Sequence, residues 1–303
     1  MKVLIIGGSY FLGRLCTMSF AKKWDCTLVN RGHYTMADYG VKAYVFDRHD
    51  KSSWQQLPKE DYDVVIDFCA YQPGDIQTVI ESFSGRFRHY VFISTVDVYQ
   101  RQTGINKTEE HPLETRHFAG EAGEYITGKV LLEQELIKMS NQYQMPYTIL
   151  RPGNIYGPFN YAPRESLFIE RVVKGLPLFS LHDAPFPFQM VYVEDVVQAI
   201  EKVIVKKAYN EIYNVVSGEM ITYDSINQIL QLCQPDIKIE EHSIEEALQL
   251  QYPLPYPLSL EEMEYYDGQK IVQQLHLEYT PFQTGLIKTY QAFYPVFKDN
   301  EKR

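Results

Sequence analysis

The sequence predicts an α/β protein with a doubly wound parallel sheet and a smaller mixed lobe in its C-terminal half. Short apolar runs rich in β-branched residues alternate with amphipathic helical patterns over residues 1–150. A glycine-rich turn follows the first of these runs directly, and aromatic residues and prolines become frequent after Arg151. Alternating strands and helices imply right-handed crossovers, which place neighbouring strands parallel in one sheet.

The predicted strands are apolar at nearly every position, as expected for strands covered on both faces of a parallel sheet. They span residues 3–6, 27–29, 44–46, 64–68, 90–93 and 147–150. Amphipathic stretches at 12–23 and 76–83 predict two of the intervening helices.

The division of the chain follows from these patterns. Residues 1–155 are expected to form the sheet domain, with a strand and helix at about 188–205 returning to it, and residues 156–303 to form the smaller lobe. The last helix has a clear start, because Thr280 suits an N-cap and Pro281 suits the first turn, and apolar positions continue to Tyr294.

Composition excludes several function classes. The formal net charge of −10 argues against sequence-independent binding of nucleic acid, which depends on clustered Lys and Arg. No apolar run approaches the ~20 residues that span a bilayer, and the first strand begins at Lys2, so neither a membrane segment nor a signal peptide is expected. The four cysteines are scattered without metal-ligand spacing, so we expect a cytoplasmic protein with no metal site.

Residues 7–13 (GGSYFLG) join the first strand to a helix. Glycines let the backbone turn sharply and approach a pyrophosphate, whose charge then lies at the helix N-terminus. In the first strand–turn–helix of such a series this predicts a dinucleotide site of the Rossmann type, although glycine-rich turns also occur without ligands. The candidate cofactor-binding residues of the turn are Gly7, Ser9, Tyr10, Phe11, Leu12 and Gly13.

The end of the second strand should contact the adenosine ribose. An acidic residue there favours NAD, whereas a nearby arginine accommodates the 2′-phosphate of NADP. Asn30 and Arg31 stand at this place without a carboxylate, so the sequence favours NADP over NAD. A solvent-facing loop cation is the alternative interpretation of Arg31.

Tyr125 and Lys129 lie four residues apart in a helical pattern and therefore share a helix face. A nearby ammonium favours phenolate, which would lower the pKa of the tyrosine and suit it to general acid/base catalysis. The pairs at 266/270 and 294/298 have the same spacing, and we expect them to be surface or packing pairs.

Ser94 and Thr95 follow the strand at 90–93, at the sheet edge where open α/β sheets bind ligands. Thr95 could hydrogen-bond a reacting oxygen there. The alternative is that both hydroxyls only cap the strand end.

Four motifs occur in order: GGxxFLG at 7–13, Ser-Thr at 94–95, Tyr-x-x-x-Lys at 125–129 and LRPGNIYGP at 150–158. Together they resemble the extended short-chain dehydrogenase/reductase family, in particular its NAD-dependent epimerase/dehydratase branch. The resemblance extends over nearly the whole chain, including the segments at 191–195 and 213–216.

The resemblance implies roles for individual residues. Thr95, Tyr125 and Lys129 would be catalytic, with Tyr125 exchanging the substrate hydroxyl proton and Lys129 holding the nicotinamide ribose. Further cofactor-binding residues would be Asp47 and Arg48 on the adenine side, Phe68, Cys69 and Ala70 in the wall after the fourth strand, and Pro152 beside the nicotinamide, with Asn154 at the substrate.

Three departures bear on the substrate. Tyr10 replaces the middle glycine of the family's turn, as in a side branch of the family. Val96-Asp97 stands where sugar-nucleotide 4,6-dehydratases carry Asp-Glu, which argues against that dehydration. Phe188-Gln189 stands where many sugar-nucleotide epimerases have an arginine for the diphosphate, which weakens the case for a nucleotide sugar.

We therefore expect an NAD(P)-dependent epimerase/dehydratase-like oxidoreductase that acts on a hydroxyl-bearing carbon of a small molecule, a sugar or nucleotide sugar. The alternative is a non-catalytic protein of the same fold that senses a dinucleotide or binds RNA. The apolar run at 130–132 is compatible with a homodimer and equally with core packing.

Overall fold

The computed structural model describes residues 1–58, 60–83, 86–160 and 162–300, apart from the side chains of Asp299 and Asn300. Residue 161 and residues 301–303 of the predicted smaller lobe lie outside the described residues. The strands are β1 (Lys2–Ile6), β2 (Asp25–Asn30), β3 (Lys42–Val45), β4 (Val64–Asp67), β5 (Tyr90–Ile93), β6 (Asn106–Lys107), β7 (Tyr147–Pro152), β8 (Asn154–Tyr156), β9 (Leu178–Leu181), β10 (Met190–Tyr192), β11 (Glu211–Val215), β12 (Ile239–His242) and β13 (Tyr265–Tyr266).

The helices connect and cover these strands. They are α1 (Phe11–Phe20), α2 (Asp75–Ser82), α3 (Glu121–Tyr143), α4 (Glu165–Val173), α5 (Val193–Val205), α6 (Tyr223–Cys233), α7 (Ile244–Gln249), α8 (Gln269–Leu275) and α9 (Phe282–Asn300). Among the described residues, no helix combines the length and the apolar character needed to cross a bilayer.

Within the described part of the chain, seven strands form one parallel sheet in the order β3–β2–β1–β4–β5–β7–β11. This order is that of a doubly wound Rossmann sheet, so the predicted fold class is confirmed. The six strands predicted from apolar runs all appear in it, and β5 has the predicted bounds.

The structure corrects the expected returning strand. β10 pairs with β8 in a separate two-stranded sheet, whereas β11, which lies in the predicted smaller lobe, is the seventh strand beside β7. Local hydrogen bonds explain this pairing. Asn210 N donates to Tyr147 O at 2.6 Å and Thr148 Oγ1 donates to Ala208 O at 2.6 Å, which ties the chain after α5 to the start of β7. α5 does return to the sheet and packs against α1.

Alternate residues of β1 pack into two different apolar clusters, one on each face of the sheet. Val3 and Ile5 face the cluster that contains α1 and α5, and Leu4 and Ile6 face the cluster that contains α2 and α3. The first cluster continues without a break into α4, α6 and α9 of the second half of the chain. The lobes therefore share one core, and the boundary at residue 155 remains a prediction.

The apolar run at 130–132 is only partly buried, so it fits both core packing and a surface available to a homodimer. Val130 and Leu132 are buried, and Leu131 is 42% exposed. The run therefore contributes to the core and also leaves one leucine on the surface of α3. A homodimer through this surface remains a prediction.

Candidate active site

One cavity of about 990 Å³ lies at the carboxyl ends of the central strands and gathers nearly all of the residues predicted from the sequence. The predicted residues that line it are Gly7, Ser9, Tyr10, Phe11, Leu12, Gly13, Asn30, Arg31, Asp47, Arg48, Phe68, Cys69, Thr95, Tyr125, Lys129, Pro152 and Asn154. Ala70 is the exception, because its side chain is completely buried in the cluster beneath α2 and α3. The prediction that Ala70 belongs to the cofactor wall is therefore corrected.

The turn between β1 and α1 brings backbone close to the cavity. Gly7 has φ +84°, a conformation that favours glycine, and a Cβ on Gly13 would lie 2.5 Å from Gly7 O. Tyr10 occupies the N-cap of α1 without a side-chain capping hydrogen bond, so it does not satisfy the first N–H groups of that helix. A turn with glycines at 7 and 13, followed by a helix N-terminus without a side-chain cap, fits the diphosphate of a dinucleotide.

The end of β2 lies beside the end of β3 in the cavity. The Asn30 side chain accepts a hydrogen bond from Gly32 N at 2.8 Å, which fixes the start of the following loop. Arg31 is exposed, and its positive charge reaches Asp47. Hydrogen bonding from His49 N, more than the charge of Arg31, places the pKa of Asp47 below its usual value. This end of the cavity therefore contains both a cation and a carboxylate.

Arg48 lines the cavity, but its terminal nitrogens are held by the protein. They donate to the two carboxylate oxygens of Asp67 at 2.8 and 2.9 Å and to Asp75 O at 2.9 Å. Asp67 also accepts from the Tyr90 hydroxyl at 2.7 Å and from Cys69 N at 3.0 Å. Although burial acts to raise it, the Arg48 guanidinium keeps the pKa of Asp67 below its usual value. This buried network, which the motifs did not reveal, fixes the wall after β4.

Tyr125 and Lys129 project from the first turns of α3. Lys129 is 2% exposed, and its Nζ donates to Ile93 O at 2.9 Å, at the carboxyl end of β5. The same Nζ lies 5.8 Å from the centroid of the Tyr125 ring. Burial lowers the pKa of Lys129 to about 8. The two side chains are neighbours as predicted, with the ammonium bonded to the strand end.

The two hydroxyls after β5 have different partners. Ser94 Oγ donates to Glu133 Oε1 at 2.5 Å in the interior. Thr95 Oγ1 accepts from Asp97 N at 3.2 Å and donates to Asp97 Oδ2 at 3.1 Å, which caps a short 3-10 helix. Thr95 also lies close enough to Tyr125 to act on the pKa of its phenol, which it lowers. Thr95 therefore caps a turn and lines the cavity, whereas Ser94 anchors α3.

The expected pKa shift of Tyr125 is wrong in sign. Although Tyr125 is 37% exposed, partial desolvation in the cavity wall, followed by the Asp97 carboxylate and Tyr71, raises the pKa of its phenol above the usual value. The sequence suggested a cation at helical spacing and gave no indication of the carboxylate or of the burial. The phenol therefore keeps its proton at neutral pH in this arrangement.

Several cavity residues were missed by sequence reasoning. Tyr71 and Asp97 follow predicted strands closely, and this position was the available signal. Arg101 and Arg164 also line the cavity, and no local motif marks them. Among the described residues there is no group of three or more His, Cys, Asp or Glu side chains suited to a metal ion.

The departure at 188–189 has a structural explanation. Gln189 Nε2 donates to Ser217 O and Tyr266 O, both at 3.2 Å, and its Oε1 accepts from Tyr266 N at 2.8 Å. Phe188 stacks on Tyr256 with ring centroids 4.2 Å apart. Both residues make contacts within the protein at the position that the resemblance assigns to a diphosphate-binding arginine in many sugar-nucleotide epimerases.

The other Tyr/Lys pairs are partly as predicted. Lys298 Nζ donates to the Tyr294 hydroxyl at 3.0 Å on the surface. Lys270 Nζ donates to Ile212 O at 2.9 Å, away from its spaced tyrosine. Tyr266 lines the cavity, so the expectation that this tyrosine lies on the surface or in simple packing is corrected.

Comparison with known proteins gives a consistent result. The model of the NAD dependent epimerase/dehydratase family matches residues 3–216. The chloroplast stem-loop binding protein of 41 kDa b from Arabidopsis thaliana is 28% identical over 247 residues, which cover 74% of this chain and 61% of that protein. The chain thus matches less than two thirds of the length of that relative.

Solved structures agree in fold. The UDP-glucose 4-epimerase of Thermotoga maritima, solved with UDP-glucose, has a TM-score of 0.78 at 19% identity, covering 98% of this chain and 99% of that chain. The Thermus thermophilus UDP-glucose 4-epimerase, solved with NAD, has a TM-score of 0.75 at 21% identity, covering 97% and 99%.

Proposed function

The chain belongs to the NAD dependent epimerase/dehydratase family, and from this premise we propose that it is an NAD(P)-dependent enzyme acting on a hydroxyl-bearing carbon of a sugar or nucleotide sugar. One observation carries the proposal. A continuous cavity joins the glycine turn at 7–13 to Thr95, Tyr125 and Lys129, so a bound dinucleotide and an acid/base group would share one space.

The glycine turn and the N-terminus of α1 would hold the diphosphate, and Lys129 would lie at the nicotinamide ribose. When bound, the dinucleotide would supply hydride transfer to or from the reacting carbon. The wall formed by Phe68 and Cys69, fixed by the Arg48–Asp67 network, would orient it and exclude water.

Tyr125 would exchange a proton with the substrate oxygen. Because its pKa is raised, the phenol is protonated and ready to donate to a carbonyl oxygen, and in the reverse direction it takes the proton back. Thr95, itself bonded to Asp97, would hold the same oxygen in reach of the phenol.

A nucleotide sugar is supported by two arginines that line the cavity. Arg101 and Arg164 form no ion pair within the described residues, so their charges are available to a diphosphate, against the opposing charges of Glu261, Glu262 and Glu264 in the same lining. The charge of Arg164 acts to lower the pKa of Tyr125, which supports a role for this arginine near the proposed reacting end. These two guanidiniums could replace the arginine missing at 188–189. The Thermotoga maritima neighbour, solved with UDP-glucose, is consistent with this class of substrate.

The choice between NAD and NADP is part of the proposal. The family name and the Thermus thermophilus neighbour, solved with NAD, support NAD, whereas Asn30 and Arg31 at the end of β2 favour NADP. If Arg31 binds a 2′-phosphate, Arg31→Ala should weaken NADP binding about tenfold and leave NAD binding nearly unchanged. Equal effects of the substitution on both dinucleotides, measured by isothermal titration, would remove the preference for NADP.

The proposed chemistry is tested by Tyr125→Phe. Loss of the phenolic proton should lower turnover of the substrate found in a nucleotide-sugar screen by about 10²- to 10⁴-fold, with the dinucleotide dissociation constant unchanged. Tyr294→Phe is the matched control, because it removes a phenol at the same spacing from a lysine on the distant helix α9. Undiminished turnover in Tyr125→Phe would show that the assignment is wrong.

RNA binding is the second candidate, because the Arabidopsis relative is named a stem-loop binding protein. The net charge of −10 opposes it. Filter binding of a stem-loop RNA at increasing salt concentration tests this candidate. A salt-dependent affinity would favour RNA binding, and its absence would exclude this function.

A further inference from the structure

Two exposed tyrosines stack on each other at the mouth of the cavity. Tyr10 and Tyr34 are each 45% exposed, and both line the cavity. Their ring centroids are 5.8 Å apart at an interplanar angle of 29°. Large aromatic rings are usually buried, so a stacked pair left at the opening of a ligand-sized cavity calls for an explanation beyond packing.

The side chain of Tyr10 does not cap its own helix. It occupies the N-cap of α1 with φ −130° and ψ 143°, and it makes no capping hydrogen bond. Ser, Thr, Asp or Asn would stabilise the helix better at this position. The extended backbone accepts any side chain, whereas the left-handed conformation falls on the next residue, Phe11, with φ 37°. A tyrosine can therefore replace the family's glycine here without strain.

Tyr34 lies on a loop that is anchored at both ends. Asn30 fixes the start of the loop through Gly32 N, and Met36, which is buried in the core, fixes its end. Residues 31–35 between them are exposed. The Tyr34 ring reaches back across the cavity mouth from the end of β2 to the turn after β1.

We infer that Tyr34, paired with Tyr10, binds the adenosine half of the dinucleotide and covers it at the cavity mouth. The inference rests on the proposed function, which places the diphosphate at the turn beside Tyr10. The adenosine ribose of such a ligand lies at the end of β2, next to the loop that carries Tyr34. Aromatic rings stack on purines and gain binding free energy that does not require a matched hydrogen-bond pattern.

The test measures binding of ADP-ribose, ADP and nicotinamide mononucleotide, along with NAD and NADP, by isothermal titration. Tyr34→Ala and Tyr10→Gly should each weaken the adenine-containing ligands about tenfold to a hundredfold, which is the range of base–aromatic stacking. Nicotinamide mononucleotide should bind the variants as it binds the wild type. Tyr34→Phe should retain most of the affinity because it keeps the ring.

The control is Tyr209→Ala, which removes another exposed tyrosine in ring contact, with His89 at 5.0 Å, outside the cavity lining. Melting temperatures of all variants confirm that each is folded. Wild-type affinity for ADP-ribose in Tyr34→Ala, with the dinucleotides still binding the wild type, would overturn the inference and leave the proposed function intact. If the wild type binds neither dinucleotide, the proposed function fails first and this inference fails with it.

Discussion

Lys129 illustrates how far a residue's chemistry depends on its surroundings. Its Nζ is held by Ile93 O and lies 4.8 Å from the ring centroids of both Tyr71 and Phe92. Burial opposes the charge and lowers the pKa to about 8, despite the favourable charge of Asp67. The ammonium is therefore present below pH 8 and is lost as the pH rises through that value.

The lowered pKa of Lys129 predicts how activity depends on pH. If the ammonium form of Lys129 is needed, kcat/KM should be level near pH 7 and fall as the pH rises through about 8. Tyr125 does not account for the fall, because its pKa is raised well above this range. A parallel titration of dinucleotide affinity separates a binding effect from a chemical one. A rate that stays level from pH 7 to pH 9 would contradict the role of the charged form.

His89 is a buried histidine whose tautomer follows from its partners. Thr148 Oγ1 donates to Ala208 O at 2.6 Å, so at its 2.7 Å contact with His89 Nε2 it must accept a proton. His89 Nδ1 is then the unprotonated nitrogen, and in the described residues it is buried without a hydrogen-bond partner. Burial lowers the pKa of His89 to about 4.

The stability of the protein should therefore depend on this histidine in acid. In the unfolded chain a histidine takes up a proton near pH 6.5, while folded His89 does so only near pH 4, so stability falls as the pH drops between these values. The contribution is roughly 3 kcal/mol. Urea unfolding at pH 7, 5.5 and 4 should show a smaller decline for His89→Gln than for the wild type, with His117→Gln as a control for loss of one imidazole. Parallel curves for wild type and His89→Gln would contradict the assignment.

Local motifs were sufficient to predict the individual residues of the site and insufficient to predict their electrostatics. The glycine turn, Thr95, Tyr125 and Lys129 are adjacent in sequence to the elements that position them, so pattern alone placed them in the cavity. The sign of the Tyr125 shift depends on burial and on Asp97 across a turn. Such effects arise only once the chain has folded.

At the scale of the element, α3 is fixed to the sheet by a buried ion pair. Arg151 in β7 donates to Glu133 through Nε at 3.0 Å and through a terminal nitrogen at 2.6 Å. Ser94 at the end of β5 donates to the same carboxylate. Glu133 lies one helical turn beyond Lys129, so this pair sets the position of the side chains in the first turns of α3.

Glu133→Gln tests this anchoring. It leaves the Arg151 guanidinium buried without its countercharge, so the free energy of unfolding should fall by about 3 to 5 kcal/mol. Glu124→Gln, an exposed carboxylate on the same helix, should cost less than about 1 kcal/mol. Turnover by the folded Glu133→Gln protein should also fall, because the side chains in the first turns of α3 lose their fixed position. The class of substrate should stay the same. A Glu133→Gln protein as stable as Glu124→Gln would contradict the account.

The positions of strands and helices along the chain were predicted more accurately than the pairing of the strands. β10 is a short apolar run, whereas β11 contains Glu211 and Asn214, so apolar character alone favours the wrong one of the two for the sheet. The hydrogen bonds of Asn210 and Thr148 decide it, and they join residues about 60 positions apart. Apolar periodicity reports burial, whereas pairing depends on contacts distant in sequence.

On the scale of the whole molecule, the cavity exists because both halves of the chain contribute to it. The sheet edge supplies the glycine turn and α3, and the second half supplies Arg164, Gln189 and Tyr266. A shared apolar core holds the halves together. Sequence patterns predicted the cavity residues that the first half of the chain contributes. The residues from the second half reach the cavity through long-range packing, and no motif predicted them.

The most direct test of the account is a crystal structure of the protein with bound NAD or NADP. We expect the diphosphate to lie against Gly7 and Gly13 at the N-terminus of α1, and the nicotinamide ring to lie beside Tyr125. A cavity that stays empty at saturating dinucleotide, or a nicotinamide ring bound away from Tyr125, would contradict it.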